Sequence, residues 1–596
     1  MIGRIRVMVC LAATGLLASG CGREVPAPKV AQAPKTAEPV IGKVAQPKSQ
    51  LALEPASISL EPGDPGVQLL LSGKGPHGGR TDHVREATWT AEPAGVVVVG
   101  PDGFVRPVKP GKAVVSYTIG EDSGQAAVEV ASASASDRSW DFAADIVPIL
   151  TRQGCNVGGC HGKADGQNGF HLSLFGYDPE SDHTAITRNA GGRRVSAIDP
   201  ESSLFLLKAI GQVPHGGGQR IAPGSEPYQV LRDWIVAGAP ATRGKSHGAV
   251  AKISVEPAEV RLDAPGPAQI RVVATYADGH TRDVTRLASL KVNDDSAAEI
   301  TPEGRAKLLR RAETDLVVRY GSQVVSARLS TIINPDLDYD FAKLPRENVV
   351  DRELFKRLEA LKVPPSPPAS DTAFLRRVTL DLTGQQPDTS QIREYLADKS
   401  TDKRAKKVDE LLKSEDFVRF WQIKLGDMLQ ISQARFAGGA GPYNAWLGRR
   451  LRENAPWDAM VRELLTAVGD PTARDGGPVN YALDGMDPKV AAELTAQRFL
   501  GLRLRCAQCH DHPFDVWTQD DYFGLAAIFA KVGPSAPKPG AMMNRPRVSV
   551  NPEGKVEHLR TKKPAEMRLL DHQPVKVEGA DDPRKALADW ITKPDN

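Results

Sequence analysis

"EPASISLEPGDPGVQLLLSG" runs from Glu54 to Gly73, and "EPAEVRLDAPGPAQIRVVATYADG" from Glu256 to Gly279. Each opens on Glu-Pro-Ala, continues into an alternating apolar pattern (Ile58 and Leu60; Val260 and Leu262), turns at Pro and Gly, and alternates again. Successive side chains of a strand face opposite sides, so alternation describes strands with one buried face. "GKAVVSYTIG" from Gly111 and "DLVVRYGSQVVSARLS" from Asp315 supply further strands of this kind. Repeats of about 80 residues with short strands and frequent turns predict two all-β, Ig-like sandwiches, at 51–132 and 250–334. Neither copy contains cysteine, so neither has an inter-sheet disulfide, and nothing in them points to catalysis.

Between the copies, 138–243 reads as a mainly α domain. Trp140, Phe142, Ile146, Ile149 and Leu150 fall at helical spacing just before Cys155. Cys155, Cys160 and His161 form a stretched C-x-x-C-H, the pattern of covalent haem c attachment. Two thiols add across the haem vinyl groups, and the following imidazole is held at the iron. The extra residues are expected to loop outward, with Gly158 and Gly159 permitting a tight bulge. A Cys155–Cys160 disulfide and a thiolate–histidine metal site are the other readings, although no second C-x-x-C or H-x-x-H lies nearby to complete a zinc site. "PGSEPYQVLRDWIVAGAP", residues 223–240, predicts a helix capped by Ser225, closed at Gly238, with Tyr228, Leu231, Trp234 and Ile235 on its apolar face. A helix entering the motif and an aromatic helix packed across it is the class I cytochrome c plan.

From 340 to 535 the pattern is again mainly helical. Val350, Leu354, Leu358 and Leu361 mark one amphipathic helix; Phe374, Val378 and Leu382 mark the inner face of a second, capped by Ser370 or Asp371. "KRAKKVDELLKSEDFVRFWQIKLGDMLQ", from Lys403, adds more. "AAELTAQRFLGLRL" then runs into "RLRCAQCHDHPFDVW", residues 503–517, where Cys506, Cys509 and His510 have the regular C-x-x-C-H spacing. In a chain with six cysteines, such a match arises by chance with a probability on the order of one in a thousand. A redox-active disulfide is the alternative. His512 is too near His510 to reach the opposite face of the same iron and reads as a hydrogen-bonding or solvent-exposed neighbour. Asp511, Asp515, Asp520 and Asp521 read as solvated charges at a helix start, with the positioning of a substrate or metal as the alternative. Residues 536–596 form a C-terminal extension whose last helical pattern stops abruptly, as a truncated chain would.

No methionine occurs between Met8 and Met428, so the first haem cannot take a methionine from its own domain as sixth ligand. The other histidines there are His171, His183 and His215. His171 has a short tether to the far face, and His183 follows a Tyr-Asp-Pro-Glu turn, where a surface histidine also fits. His215, in "VPHGGGQR" ahead of the last helix, occupies the place of the ligand loop, and its glycines let backbone approach a porphyrin. The expected pair is His161 with His215, against a water-bound or open site.

The first 24 residues, "MIGRIRVMVCLAATGLLASGCGRE", combine Arg4 and Arg6, a short apolar run and small residues. They read as an export signal, and Ala-Ser-Gly-Cys resembles a lipobox that makes Cys21 a lipidated first residue (1–21 removed or processed), with simple cleavage as the alternative. Residues 22–50, rich in Pro, Ala and Lys, predict an extended tether. A net charge of +3 offers no footprint for nucleic acid.

Both cysteine regions resemble planctomycete-type cytochrome c families, through "CNVGGCHGKADGQNGFHLSLFGYDPE", "PHGGGQR" and "FLGLRLRCAQCHDHPFDVWTQDDYFGLAAIFA"; the β copies resemble bacterial Ig-like group 2 domains, "GFVRPVKPGKAVVSY" most closely. The resemblance implies a multidomain exported protein, over 138–243 and 340–535, with two different haem domains joined to Ig-like modules. The expected function is electron transfer by two covalently bound haems c, with redox proteins as partners and the membrane held through a lipid anchor. The alternatives are a surface scaffold whose Ig-like modules bind polysaccharide or protein, and a subunit of a larger oxidative enzyme.

Overall fold

The computed structural model describes residues 51–595 except 62, 133–138, 245, 513, 514, 536–546, 578 and 580. The export signal, Cys21 and the tether lie outside the described residues. The N-terminal half is mostly β-sheet around one small helical unit, and the C-terminal region is helical. Among the described residues no helix is long and apolar enough to cross a membrane.

The Glu-Pro-Ala repeat marks an internal duplication of sheet topology. In the first unit a four-stranded sheet orders Ser57–Leu60, Asp122–Val130, Gly111–Ile119 and Thr88–Glu92, with the first pair parallel. The second unit repeats it with Glu259–Leu262, Gln323–Thr331, Glu313–Tyr320 and Ser289–Val292, again with a parallel first pair. Two three-stranded sheets accompany each. Alternation sets the core: Ala113, Val115 and Tyr117 point inward in the first unit, Leu316, Val318 and Tyr320 in the second.

The two units also hold one another by a reciprocal exchange. The Gln68 N–H donates to the Asp283 carboxylate at 2.8 Å, and the Gln269 N–H donates to the Asp82 carboxylate at 2.8 Å. Each side-chain amide then donates across its own unit, Gln68 to the Asp102 carbonyl and Gln269 to the Glu303 carbonyl, both at 2.7 Å. Buried backbone donors must be paired, so each copy supplies the acceptor that the other lacks.

The helical unit between them is closed by Trp140–Asp141 pairing with Thr242–Arg243. Its helices are α1 (Val147–Arg152), α2 (Pro179–Thr187), α3 (Leu204–Ala209) and α4 (Glu226–Val236). Trp140 therefore sits in a strand, and a single wide turn, Phe142–Ile146, leads into α1. The expected apolar residues are nevertheless all buried, with Leu231, Trp234 and Ile235 of α4 beneath them. Ser225 precedes α4 but donates its hydroxyl to the Ala222 carbonyl instead of capping the helix.

Three units meet at Arg282. Its guanidinium pairs with Asp64 of the first β unit at 3.2 Å and with Asp145 of the helical unit at 2.8 Å, all three side chains being nearly buried. Burial opposes the charge, but Asp145, Tyr320, Tyr276 and Asp64 together outweigh it and hold the guanidinium well above its ordinary pKa.

The C-terminal region begins with α5 (Val349–Leu361), α6 (Asp371–Thr383), α7 (Thr389–Ala397), α8 (Lys403–Leu412) and α9 (Glu415–Met428). It continues with α10 (Gln433–Phe436), α11 (Ala440–Arg452), α12 (Trp457–Thr466), α13 (Val479–Asp484), α14 (Pro488–Thr495), α15 (Gln519–Ala530) and α16 (Arg584–Ile591). Two helix faces differ from the sequence reading. Val350 and Leu354 of α5 are exposed. In α6 the buried residues are Leu375, Thr379 and Thr383, one position round from the expected face. Leu569, Leu570, Leu587 and Ala588 share one core with α11, α12 and α15.

Candidate functional site

In the helical unit, α1 delivers the chain to Cys155, whose N–H donates to the Leu150 carbonyl. Cys160 and His161 return through a tight turn in which the His161 N–H donates to the Cys155 carbonyl at 3.0 Å. The extra residues do not all loop outward. Asn156 is fully buried, donating to the Thr151 hydroxyl and accepting the Phe175 N–H through its carbonyl. Gly158 and Gly159 are exposed, and the glycine with a left-handed backbone is Gly154, at φ 73°. The bulge therefore turns on a buried asparagine rather than on the paired glycines.

A cavity of about 510 Å³ opens beside this turn, lined by Cys155, Cys160, His161 and His215. His161 Nδ1 lies 2.9 Å from the Phe170 carbonyl, and His215 Nδ1 lies 2.8 Å from the Gly218 carbonyl. A carbonyl can only accept, so each Nδ1 carries a hydrogen, and in the neutral ring Nε2 is the nitrogen with the lone pair. The two rings are 6.2 Å apart and within 9° of parallel. Burial holds His161 below the ordinary imidazole pKa, against the Phe170 hydrogen bond, which keeps it neutral and ligand-competent. Burial likewise pushes the Cys155 thiol up to about 11.

These groups suit a disc-shaped cofactor better than a small ion. Among the described residues, the only clustered donors within 4.8 Å of one another lie elsewhere, so the two thiols and two imidazoles surround a space rather than a point. Both thiols are free in this structure. The wall is apolar at Leu150, Phe170, Leu172, Phe205 and Leu231, and carries Arg193, Arg194, Lys208 and Arg220 with no carboxylate among the described lining residues. Haem is an apolar disc with two carboxylates, and this lining fits it. A larger cavity, about 990 Å³, at the junction of the units has no thiol or imidazole among its described lining residues.

The remaining histidines are engaged otherwise. His171 is exposed and does not line the cavity. His183 is half-buried: its Nε2 meets the Ala239 carbonyl at 2.8 Å, and its ring packs edge-on to Phe142 and Trp234. Sequence reasoning missed Arg194 and Arg220. Arg194 is buried over the Phe170 ring, and Arg220 reaches to 3.8 Å from Cys160 Sγ. The Arg pair after Gly191-Gly192 and the arginine ending "PHGGGQR" are the signals that could have found them.

At the second motif, α14 runs through a wide turn to Gly501, left-handed at φ 71°, and Leu504–Gln508 forms a short helical turn. Cys506 and Cys509 are exposed free thiols. His510 Nδ1 lies 2.6 Å from the Asp511 carbonyl, and its ring is 6.3 Å from that of Tyr177 in the helical unit. His512 is partly buried; burial lowers its pKa, with Asp515 and the Arg503 backbone countering. The acidic residues are not all solvated. Asp521 is buried as the reciprocal cap of α15 with Thr518 and pairs with Arg568 and His572. Asp520 pairs with His558 at 2.9 Å.

A family model described as "PSCyt2: Protein of unknown function (DUF1549)" matches residues 349–533, which include the second motif. The match corrects the resemblance drawn from the sequence: it covers neither 138–243 nor the β units, and its description names no haem. No curated protein is matched. Similar solved structures include the S-layer protein rSbsC(31-844), 11% identical over 49% of this chain and 28% of that one, with a TM-score of 0.13. SbsC domains 5-6 are 10% identical over 48% of this chain and 99% of that one, with a TM-score of 0.20. Scores this low carry no argument about fold or function.

Proposed function

We propose that the chain is an exported, lipid-anchored electron carrier holding two covalently attached haems c, with the two β units as Ig-like spacers. The helical unit then follows the class I cytochrome c plan. The observation that carries this reading is the convergence of Cys155, Cys160, His161 and His215 on one cavity with an apolar and cationic wall. Cys155 and Cys160 would form the thioethers, and His161 and His215 would hold the iron. Cys506, Cys509 and His510 would hold the second group. Haem bound there supplies a one-electron iron couple, whose potential the axial ligands and burial tune.

The protein's own part is positional. The Phe170 and Gly218 carbonyls fix the tautomers of His161 and His215. The segment from Leu172 to Tyr177 joins the two motifs: the Leu172 N–H donates to the His161 carbonyl, and the Tyr177 ring reaches His510. It supports electron exchange between the sites. Exposed Cys506 and Cys509 favour the second site as the one facing a partner redox protein. The lipid anchor rests on the sequence around Cys21 alone.

The test is intact mass and a reduced-minus-oxidised visible spectrum of the chain made in a host competent for haem c maturation. Two added haem masses are expected, falling to one when Cys506 and Cys509 are both changed to Ala. A chain recovered folded without haem overturns the proposal.

A further inference from the structure

The cavity of about 990 Å³ lies where the two β units and the helical unit meet. Small-molecule sites run from about 300 to about 1,000 Å³, so this one has room for several rings rather than one ion. Some of its charged lining is engaged in the junction itself: Arg282 pairs with Asp64 and Asp145, and Arg286 pairs with Asp102 at 2.6 Å. Five other charges are not. Arg106 and Lys109 belong to the first β unit, Arg152 ends α1, Glu226 opens α4, and Glu303 lies in a turn of the second β unit. Among the described residues none of these five side chains makes an ion pair or a hydrogen bond, and Arg106 only stacks over the Phe104 ring at 4.7 Å. Arg152 and Glu303 are partly buried. Burial pulls the Arg152 guanidinium below its ordinary pKa, against the opposing pull of Glu303 and Glu226.

We propose that this cavity binds an acidic saccharide, a ligand that carries both carboxylates and hydroxyls. Arg152 presents a planar fork of N–H donors, which a carboxylate meets with two parallel hydrogen bonds. The Glu226 and Glu303 carboxylates can only accept, and sugar hydroxyls donate to them without adding charge. Three free cations against two free carboxylates leave a positive excess, which favours a ligand of net negative charge. A small inorganic anion would meet both glutamates with like charge. A neutral sugar would leave Arg152 without a counter-charge.

The wall favours a saccharide over an acidic peptide. Pro65, Pro107, Pro110 and Pro227 line it. Proline has no backbone N–H, so these positions cannot donate to a peptide main chain, the pairing through which extended peptides gain affinity. Their apolar ring faces can instead pack against the C–H face of a sugar ring. The site is also separate from the haem assignment. Ile149 and Arg152 of α1 line this cavity, whereas Leu150 and Cys155 line the one at the first motif; the two share no described lining residue.

The experiment titrates the full chain by calorimetry with trimers of galacturonate and of mannuronate, a neutral galactose trimer, triglutamate and sulfate. At least one uronate trimer should bind at one per chain, and the neutral trimer should bind about 10-fold more weakly or worse. Arg152→Gln and Glu303→Gln should each weaken uronate binding by about 10-fold. An arginine-specific reagent on the unsubstituted chain should find Arg106 and Arg152 protected by the uronate trimer, a readout that needs no variant to fold. Failure of both uronates to bind, equal binding of the neutral trimer or of triglutamate, displacement of the uronate by equimolar sulfate, or unchanged affinity in Arg152→Gln overturns the proposal. Iron counted in the same samples reports on haem separately, so failure of one assignment is not failure of the other.

Discussion

His161 and His215 face the same cavity with near-parallel rings 6.2 Å apart, each with its Nδ1 tied to a backbone carbonyl. Both imidazoles would serve as ligands to one haem iron, each held in its tautomer by its carbonyl partner. In the haem-loaded chain, His215→Ala should convert the first site's low-spin electron paramagnetic resonance signal to high-spin. Its reduction potential should rise when methionine is supplied in place of His215, because a thioether ligand raises it. A low-spin signal unchanged by His215→Ala removes this histidine from the iron.

The thiols should differ sharply in reactivity before haem is attached. Only the thiolate attacks an alkylating reagent, and burial raises the Cys155 thiol from 9.0 to about 11. Near neutral pH its thiolate fraction is about 100-fold below that of an unshifted thiol. Cys506 and Cys509 are exposed. Mass spectrometry after brief maleimide treatment of haem-free chain should find label on Cys506 and Cys509 first. Equal labelling of Cys155 would show that its partly buried setting does not hold the thiol protonated.

The β repeat was legible because a period of two leaves a strong trace when one sheet face is buried, as at Ala113, Val115 and Tyr117. His215 was legible because chain order puts it ahead of α4, opposite the motif. Helix faces were read less well. Val350 and Leu354 follow an apolar stripe that stays exposed, and a one-residue rotation of α6 moves burial from Phe374 to Leu375. The role of His183 stayed open because nothing local announces the Ala239 carbonyl, 56 positions away. The Asp64–Arg282–Asp145 knot and the cavity it borders were invisible for the same reason. Both exist only once separate units are docked.

Asp182 should give the helical unit a distinctive pH dependence. Its carboxylate is buried and accepts the Ser173 N–H at 2.5 Å and the Ser173 hydroxyl at 2.7 Å. Burial nevertheless outweighs these bonds and raises its pKa from 3.8 to about 6. The folded state therefore holds the proton more tightly than the unfolded chain. That contribution, on the order of 3 kcal/mol, is fully present below about pH 4 and lost as pH rises through about 6. Asp182→Asn keeps an acceptor for the Ser173 N–H but cannot ionise. Relative to the parent, the variant should gain stability between about pH 4 and about pH 8. A difference in unfolding midpoint that stays flat across that range contradicts the shift.

Arg282 offers the sharpest test of how the units are held. Its charge is nearly buried, with 11% of the side chain exposed, and it is balanced by Asp64 and Asp145 from two other units. Removing one partner of a buried pair strands the other charge, a cost of about 3–5 kcal/mol, whereas replacing the whole set with apolar residues is often near neutral. Asp145→Asn keeps the shape and removes one counter-charge; the Asp145 carboxylate also accepts the Asp141 N–H, which the amide oxygen can still do. Urea unfolding should therefore show Asp145→Asn destabilised by about 3 kcal/mol or more. A chain carrying Arg282→Met, Asp145→Leu and Asp64→Asn together should lose less than the separate changes add up to. The shortfall measures coupling among residues that the chain brings together from three units, since independent sites add. Strict additivity would mean that the three charges act separately and that Arg282 is not the knot between the units.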